Sequence, residues 1–130
     1  MPVQSGWLDA EETVRYWQFE GKWTWAEFFD RLSASTVISE AKPYPVATIL
    51  DFSGSYAMRD NALGMFATGE RRMAQNVDLI VCVGGLFIKS LVDVYTRVSR
   101  REKSIFAVST LDEASALIQE KRASGVPRSI

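Results

Sequence analysis

The sequence predicts an α/β domain built on a single, mostly parallel sheet of four to five strands flanked by helices. Three observations carry that expectation. Two near-continuous apolar runs, VATILDF at 46–52 and VDLIVCV at 77–83, lack polar alternation, as parallel strands covered by helices on both faces do. Apolar stripes at helical spacing fall before, between and after those runs. Two capping boxes, Thr24-Trp25-Ala26-Glu27 and Thr110-Leu111-Asp112-Glu113, each set a hydroxyl at an N-cap and a carboxylate three residues on. Strand followed by helix, four times over, makes a parallel sheet with right-handed crossovers.

Residues 1–12, MPVQSGWLDAEE, show no clear period and read as an irregular arm pinned by Trp7 and Leu8. TVRYWQF at 13–19 is rich in β-branched and aromatic residues, hence a strand. Val14 and Tyr16 point one way and Trp17 and Phe19 the other, which a strand covered on both faces explains. After the Glu20-Gly21-Lys22 bend, the first capping box opens a helix with Trp25, Phe28, Phe29, Leu32 and Thr36 in its stripe. Lys42-Pro43-Tyr44-Pro45 stops it, since proline has no amide hydrogen and disfavours helix in the residue before it.

The strand at 46–52 ends in Ser53-Gly54-Ser55, and Asp60 or Asn61 can cap a helix from about Ala62 to Gln75 with Leu63, Phe66, Ala67, Met73 and Ala74 inward. The strand at 77–83 leads through Gly84-Gly85 into a helix with Ile88, Leu91, Val92, Tyr95 and Val98 inward. A short strand, IFAV, precedes the second capping box and its helix. The domain thus spans 13–122, with a flexible tail over 123–130.

A length of 130 residues suits one domain with its own core. Residues 1–65 hold five basic and nine acidic side chains (−4), residues 66–130 ten and seven (+3), so the overall −1 argues against a nucleic-acid or anionic-membrane binder. The single cysteine, Cys82, permits no internal disulfide, and no apolar stretch approaches the ~20 residues of a membrane span. A cytoplasmic protein without cofactor is expected. With no histidine, Ser-His-Asp and Cys-His catalysis and His/Cys zinc sites are excluded, and any metal would be a hard cation on carboxylates.

Asp51 ends a buried strand, as a phosphoacceptor does, but TVRYWQF offers no acid pair to hold magnesium, so Asp51 is read as bonding its own loop amides. Gly84-Gly85 lacks phosphate-loop spacing and is read as a tight turn. Arg97, Arg100, Arg101 and Lys103 read as a solvated helix end or a weak anionic contact. Trp17, Trp23, Trp25, Phe28 and Phe29 give core packing first, and alternatively line a pocket for an apolar small molecule or form a dimer face.

From Ile49 the chain runs ILDFSGSYAMRDNALG, which resembles the central segment of STAS domains, the anti-sigma-factor antagonist family. There a strand ending in Asp or Asn leads through a short loop to a D-S-[ST]-G-L signature opening a helix. The similarity continues through VDLIVCVGG, the helix with Leu91 and Val92, and TLDEASALI, covering about Thr13 to Lys121. Upstream, WQFEGKWTWAEF is similar to that family's strand-Gly-turn-helix opening, and small bacterial members described as SEC14-like are similar in kind.

The resemblance implies a non-catalytic interaction or signalling module that docks a protein partner through the 53–66 loop and helix. Its contact residues would be Ser53, Ser55, Tyr56, Met58, Arg59, Asp60, Asn61 and Leu63. The SEC14-like resemblance implies instead a carrier of an apolar or lipid-like ligand among the aromatics; a homodimer is compatible with either. Laid on the signature, Arg59 replaces its Asp, Asp60 its phosphorylatable Ser, Asn61 its Ser/Thr and Ala62 its Gly, while Leu63 agrees. Asp60 has no hydroxyl to accept a phosphoryl group. Its carboxylate either presents a permanent charge at a helix N-terminus, favoured by ~0.3–1 kcal/mol, or simply caps the helix.

Overall fold

The computed structural model describes residues 2–55, 61–98 and 103–124. Strands β1 (Val3–Trp7), β2 (Val14–Gly21), β3 (Val46–Ser55), β4 (Val77–Val83) and β5 (Ser104–Val108) form one sheet in chain order. β1 runs antiparallel to β2, and the three following pairs are parallel. Helices α1 (Trp25–Glu40), α2 (Ala62–Arg72) and α3 (Leu86–Val98) are the crossovers, and α4 (Leu111–Ser124) follows β5.

Each parallel strand is added on the same side of its predecessor. Right-handed crossovers therefore put all three connecting helices on one face. The packing agrees: Phe28 and Leu32 of α1, Phe66 of α2 and Ile88 and Leu91 of α3 share one apolar cluster with Trp17, Phe19, Leu50 and Phe52. On the other face, Ala114 and Ile118 of α4 meet Ala47, Ile49, Leu79 and Val81. Successive residues of β3 thus enter different cores, which is why that strand shows no polar alternation.

Both capping boxes form. The Glu27 amide donates to Thr24 Oγ1 at 3.1 Å while the Thr24 amide donates to the Glu27 carboxylate at 2.8 Å. The corresponding bonds at Thr110 and Glu113 are 3.1 and 3.2 Å. Gly69 lets α2 close on α1: a Cβ there would stand 3.2 Å from the Phe28 ring. A Cβ on Gly84 would lie 2.5 Å from Ile88, so the turn into α3 needs a residue without one.

The irregular arm expected for 1–12 is corrected by β1, which pairs with β2 from Val3↔Phe19 to Trp7↔Arg15. Asp9 holds the hairpin loop, accepting the amides of Thr13 at 2.9 Å and Val14 at 3.0 Å and also the Thr13 hydroxyl. α2 ends at Arg72 rather than Gln75, because Met73 is already extended. α4 runs to Ser124, beyond the expected boundary, and the tail over 125–130 lies outside the described residues.

Two residues of the basic cluster are described, one at the surface and one buried. Arg97 pairs with Asp93 at 2.9 Å, and Arg100 and Arg101 lie outside the described residues. Lys103 is buried, and its ammonium donates to the Ala74 carbonyl at 3.0 Å. Its amide donates at 3.3 Å to buried Glu70, which also accepts the Tyr95 hydroxyl. At the opposite face Arg122 forks onto Asp78 at 2.8 and 3.0 Å, fastening α4 to β4.

Two outcomes test this packing. Phe19, fully buried and stacked 4.4 Å from Phe52, should lose about 3–5 kcal/mol as Phe19→Ala in urea unfolding, whereas exposed Val37→Ala should change by less than about 0.5. Partial burial pushes the Asp9 carboxyl up, but the Thr13 and Val14 hydrogen bonds outweigh it and leave it below its ordinary 3.8. The stability of the wild type over Asp9→Asn should be full above that value and close as pH falls through the lower folded one.

Candidate functional site

All three crossover helices start at the carboxyl edge of the sheet, where β3 and β4 release the chain. β3 carries the expected site there. The Asp51 carboxylate accepts the Ser53 amide at 3.0 Å and the Ser53 hydroxyl at 2.6 Å through Oδ1. Oδ2 accepts the Tyr16 hydroxyl from β2 at 2.6 Å. The expected strand end at Phe52 is corrected: β3 runs on to Ser55, with Gly54 and Ser55 paired to Glu20 and Gly21, so Asp51 lies within the strand and bonds the strand residue Ser53 and, across the sheet, Tyr16. Burial first, and then the bond to Asp51, push the Tyr16 phenol far above its ordinary 10.0.

Ser53 is exposed, but its hydroxyl is held by Asp51, and Ser55 donates to the Phe52 carbonyl at 2.8 Å. Asn61 occupies the N-cap position of α2 with φ 52° and makes no side-chain cap bond. Leu63, expected inward, is corrected to exposed: in the first turn of α2 it keeps 38% of its surface in solvent. Ser53 and Ser55 thus lie in the last residues of β3, and Asn61 and Leu63 at the start of α2. Tyr56, Met58, Arg59 and Asp60 lie outside the described residues.

The sequence reading missed the neighbouring first turn. Leu86 is 83% and Phe87 46% exposed at the start of α3, beside Gly84-Gly85. Val98, expected inward, is corrected to exposed: with Val94 it continues from Phe87 at i+7 and i+11, giving α3 a second apolar stripe that is open to water. A pair of large apolar residues ahead of the inward set Ile88, Leu91, Val92 and Tyr95 was the available signal. The two first turns belong to helices in contact, with the Phe66 and Tyr95 rings 5.0 Å apart.

The aromatic set lies on the same helix-covered face but is turned inward. Trp17 and Phe28 are buried and meet edge-on at 5.1 Å. Trp23 and Trp25 meet at 4.9 Å, and Phe28 and Phe29 at 5.6 Å. Trp23, Trp25 and Phe29 are partly buried against that core. The space enclosed by Trp25, Phe28, Phe52, Phe66 and Glu70 is about 10 Å³, room for one water molecule.

Cys82 is buried, and desolvation drives its thiol well above the ordinary range, so it behaves as a small hydrophobe. Among the described residues no three His, Cys, Asp or Glu side chains converge as a metal site, and no helix is long and apolar enough to cross a membrane. Neither the protein-family models nor the curated proteins compared with this chain give a match.

Tyr16→Phe keeps the ring and removes one donor from a carboxylate, so chemical denaturation should show a loss of about 1–2 kcal/mol. The folded phenol ionises later than the unfolded one. That contribution should be whole below pH 10 and disappear as pH rises through the folded value.

Proposed function

We propose that this chain is a non-catalytic, STAS-like protein-interaction module that docks a partner protein at the carboxyl edge of its sheet. One observation carries the reading: Leu63, Leu86 and Phe87 stand in water on the first turns of α2 and α3. Buried together, such side chains contribute roughly 1.5–3 kcal/mol each, enough for the centre of a modest interface. They accompany a strand followed by a helix, β3 then α2, in the order of the STAS segment that ILDFSGSYAMRDNALG resembles. The Asp51–Tyr16–Ser53 bonds hold the strand end rigid, so the surface is presented with little ordering cost. The resemblance to the STAS signature assigns the tuning of that docking to the charge of Asp60, which lies outside the described residues.

A carrier of an apolar ligand is the weaker reading. The space among the rings is about 10 Å³, against the ~300–1,000 Å³ of a typical ligand pocket, and the larger hollow of about 380 Å³ beside Phe29 is walled as much by Ser33, Thr36 and Arg72 as by apolar side chains.

A photoreactive side chain at position 87 should cross-link a protein of defined mass in extracts of the source cells. The same group at exposed Val37 on α1 should not. Leu86→Ser with Phe87→Ser should cut that capture roughly tenfold, and Leu86→Ser alone, at a site 83% exposed, should weaken it while moving unfolding stability by less than about 0.5 kcal/mol. Equal cross-linking from both positions, or capture indifferent to the double variant, removes the docking edge.

A further inference from the structure

Arg15 opens β2 at the amino edge of the sheet, away from the docking edge, and reaches toward the second half of α1. It is 4% exposed. Its Nε donates to the Ser35 hydroxyl at 3.1 Å, and a terminal nitrogen donates to the Ser5 hydroxyl at 3.1 Å. The guanidinium carbon stands 4.9 Å from the centre of the Trp7 ring. Every one of these partners is neutral.

The acids closest in sequence are engaged elsewhere, Asp9 with Thr13 and Val14 and Glu12 with Lys42. Burial with no opposing charge draws the guanidinium pKa below its ordinary 12.5. Guanidinium stays charged in proteins, and a buried charge without a counter-charge is strongly disfavoured. The C-terminus of α1 offers only partial negative charge, and its Ser39 carbonyl already accepts the Lys42 amide at 3.0 Å and the Asn76 side chain at 2.8 Å.

Against Arg15 lies a small cleft lined by Ser35, Ser39 and Thr48 together with Leu32 and Val77. Its free space is about 10 Å³, enough for one water-sized body. The hydroxyls can turn their hydrogens toward whatever sits there.

We propose that Arg15, Ser39 and Thr48 bind a single monatomic anion, chloride in ordinary buffers, as the internal counter-ion of β2. Size selects the class. Phosphate, sulfate and carboxylate groups need several times the room, whereas a halide approaches that of water. The anion neutralises the guanidinium and ties β2 to α1 through Ser39 and to β3 through Thr48. This site is independent of partner docking.

Chlorine NMR tests the proposal directly. Adding the full chain should broaden the chloride line, bromide should reverse the broadening, and Arg15→Met should abolish it while exposed Arg71→Gln leaves it unchanged. At constant ionic strength, exchanging gluconate for chloride at about ten times its dissociation constant should raise the thermal midpoint by roughly 3–6 °C. Should Arg15→Met fail to fold, wild-type crystals grown from bromide still decide. An anomalous peak within hydrogen-bond reach of Arg15 supports the site, and its absence overturns it. Line widths equal to those of buffer, or midpoints identical in chloride and gluconate, overturn it equally.

Discussion

Everything in this molecule follows from parallel strands laid down in chain order and joined by crossovers of one hand. Sequential addition sends α1, α2 and α3 to the same face, and α4, which joins no two strands, covers the other. The two faces are consequently unequal. One receives three helices and the large rings, the other one helix and mostly aliphatic strand residues. The same rule brings the first turns of all crossover helices to one edge, where β3 and β4 deliver the chain. A candidate interaction surface at that edge is a by-product of handedness before any side chain is considered.

The aromatic residues make the crowded face rigid. Phe19 stacks on Phe52 at 4.4 Å and leans on Phe28 at 5.4 Å, while Trp17 meets Phe28 at 5.1 Å. Ring pairs of this kind are worth about 0.5–1.5 kcal/mol beyond the area they bury. They join β2, β3 and α1 into one body. A cluster so closed serves as foundation, and the exposed apolar residues of α2 and α3 stand upon it.

Charged groups placed inside the protein mark joints between elements. Glu70 gathers donors from Tyr95 of α3 and from Lys103, just before β5. Asp51 links β3 to β2. Arg15 joins β2 to β1 and α1 through hydroxyls. The first two are an acid among donors and close on themselves. Arg15 is a cation among neutral groups, and that difference of electrical balance separates it from the others.

Much of this was legible in the residues. Apolar runs marked β3 and β4, and capping boxes marked the starts of α1 and α4, because each depends on neighbours within a few positions. What escaped depended on distant partners. VQSGW has too few apolar residues and an interior glycine, and becomes β1 only because β2 offers a free edge to pair with. Ser35 and Ser39 look like surface residues of α1 but are buried, since Arg15 lies beneath the first and the Asn76 turn beside the second. Leu86 and Phe87 carry the same apolar signature as the core set that follows them. Only the direction in which α3 crosses the sheet decides that these two face water, because one helix can bury one side of itself against a sheet and no more.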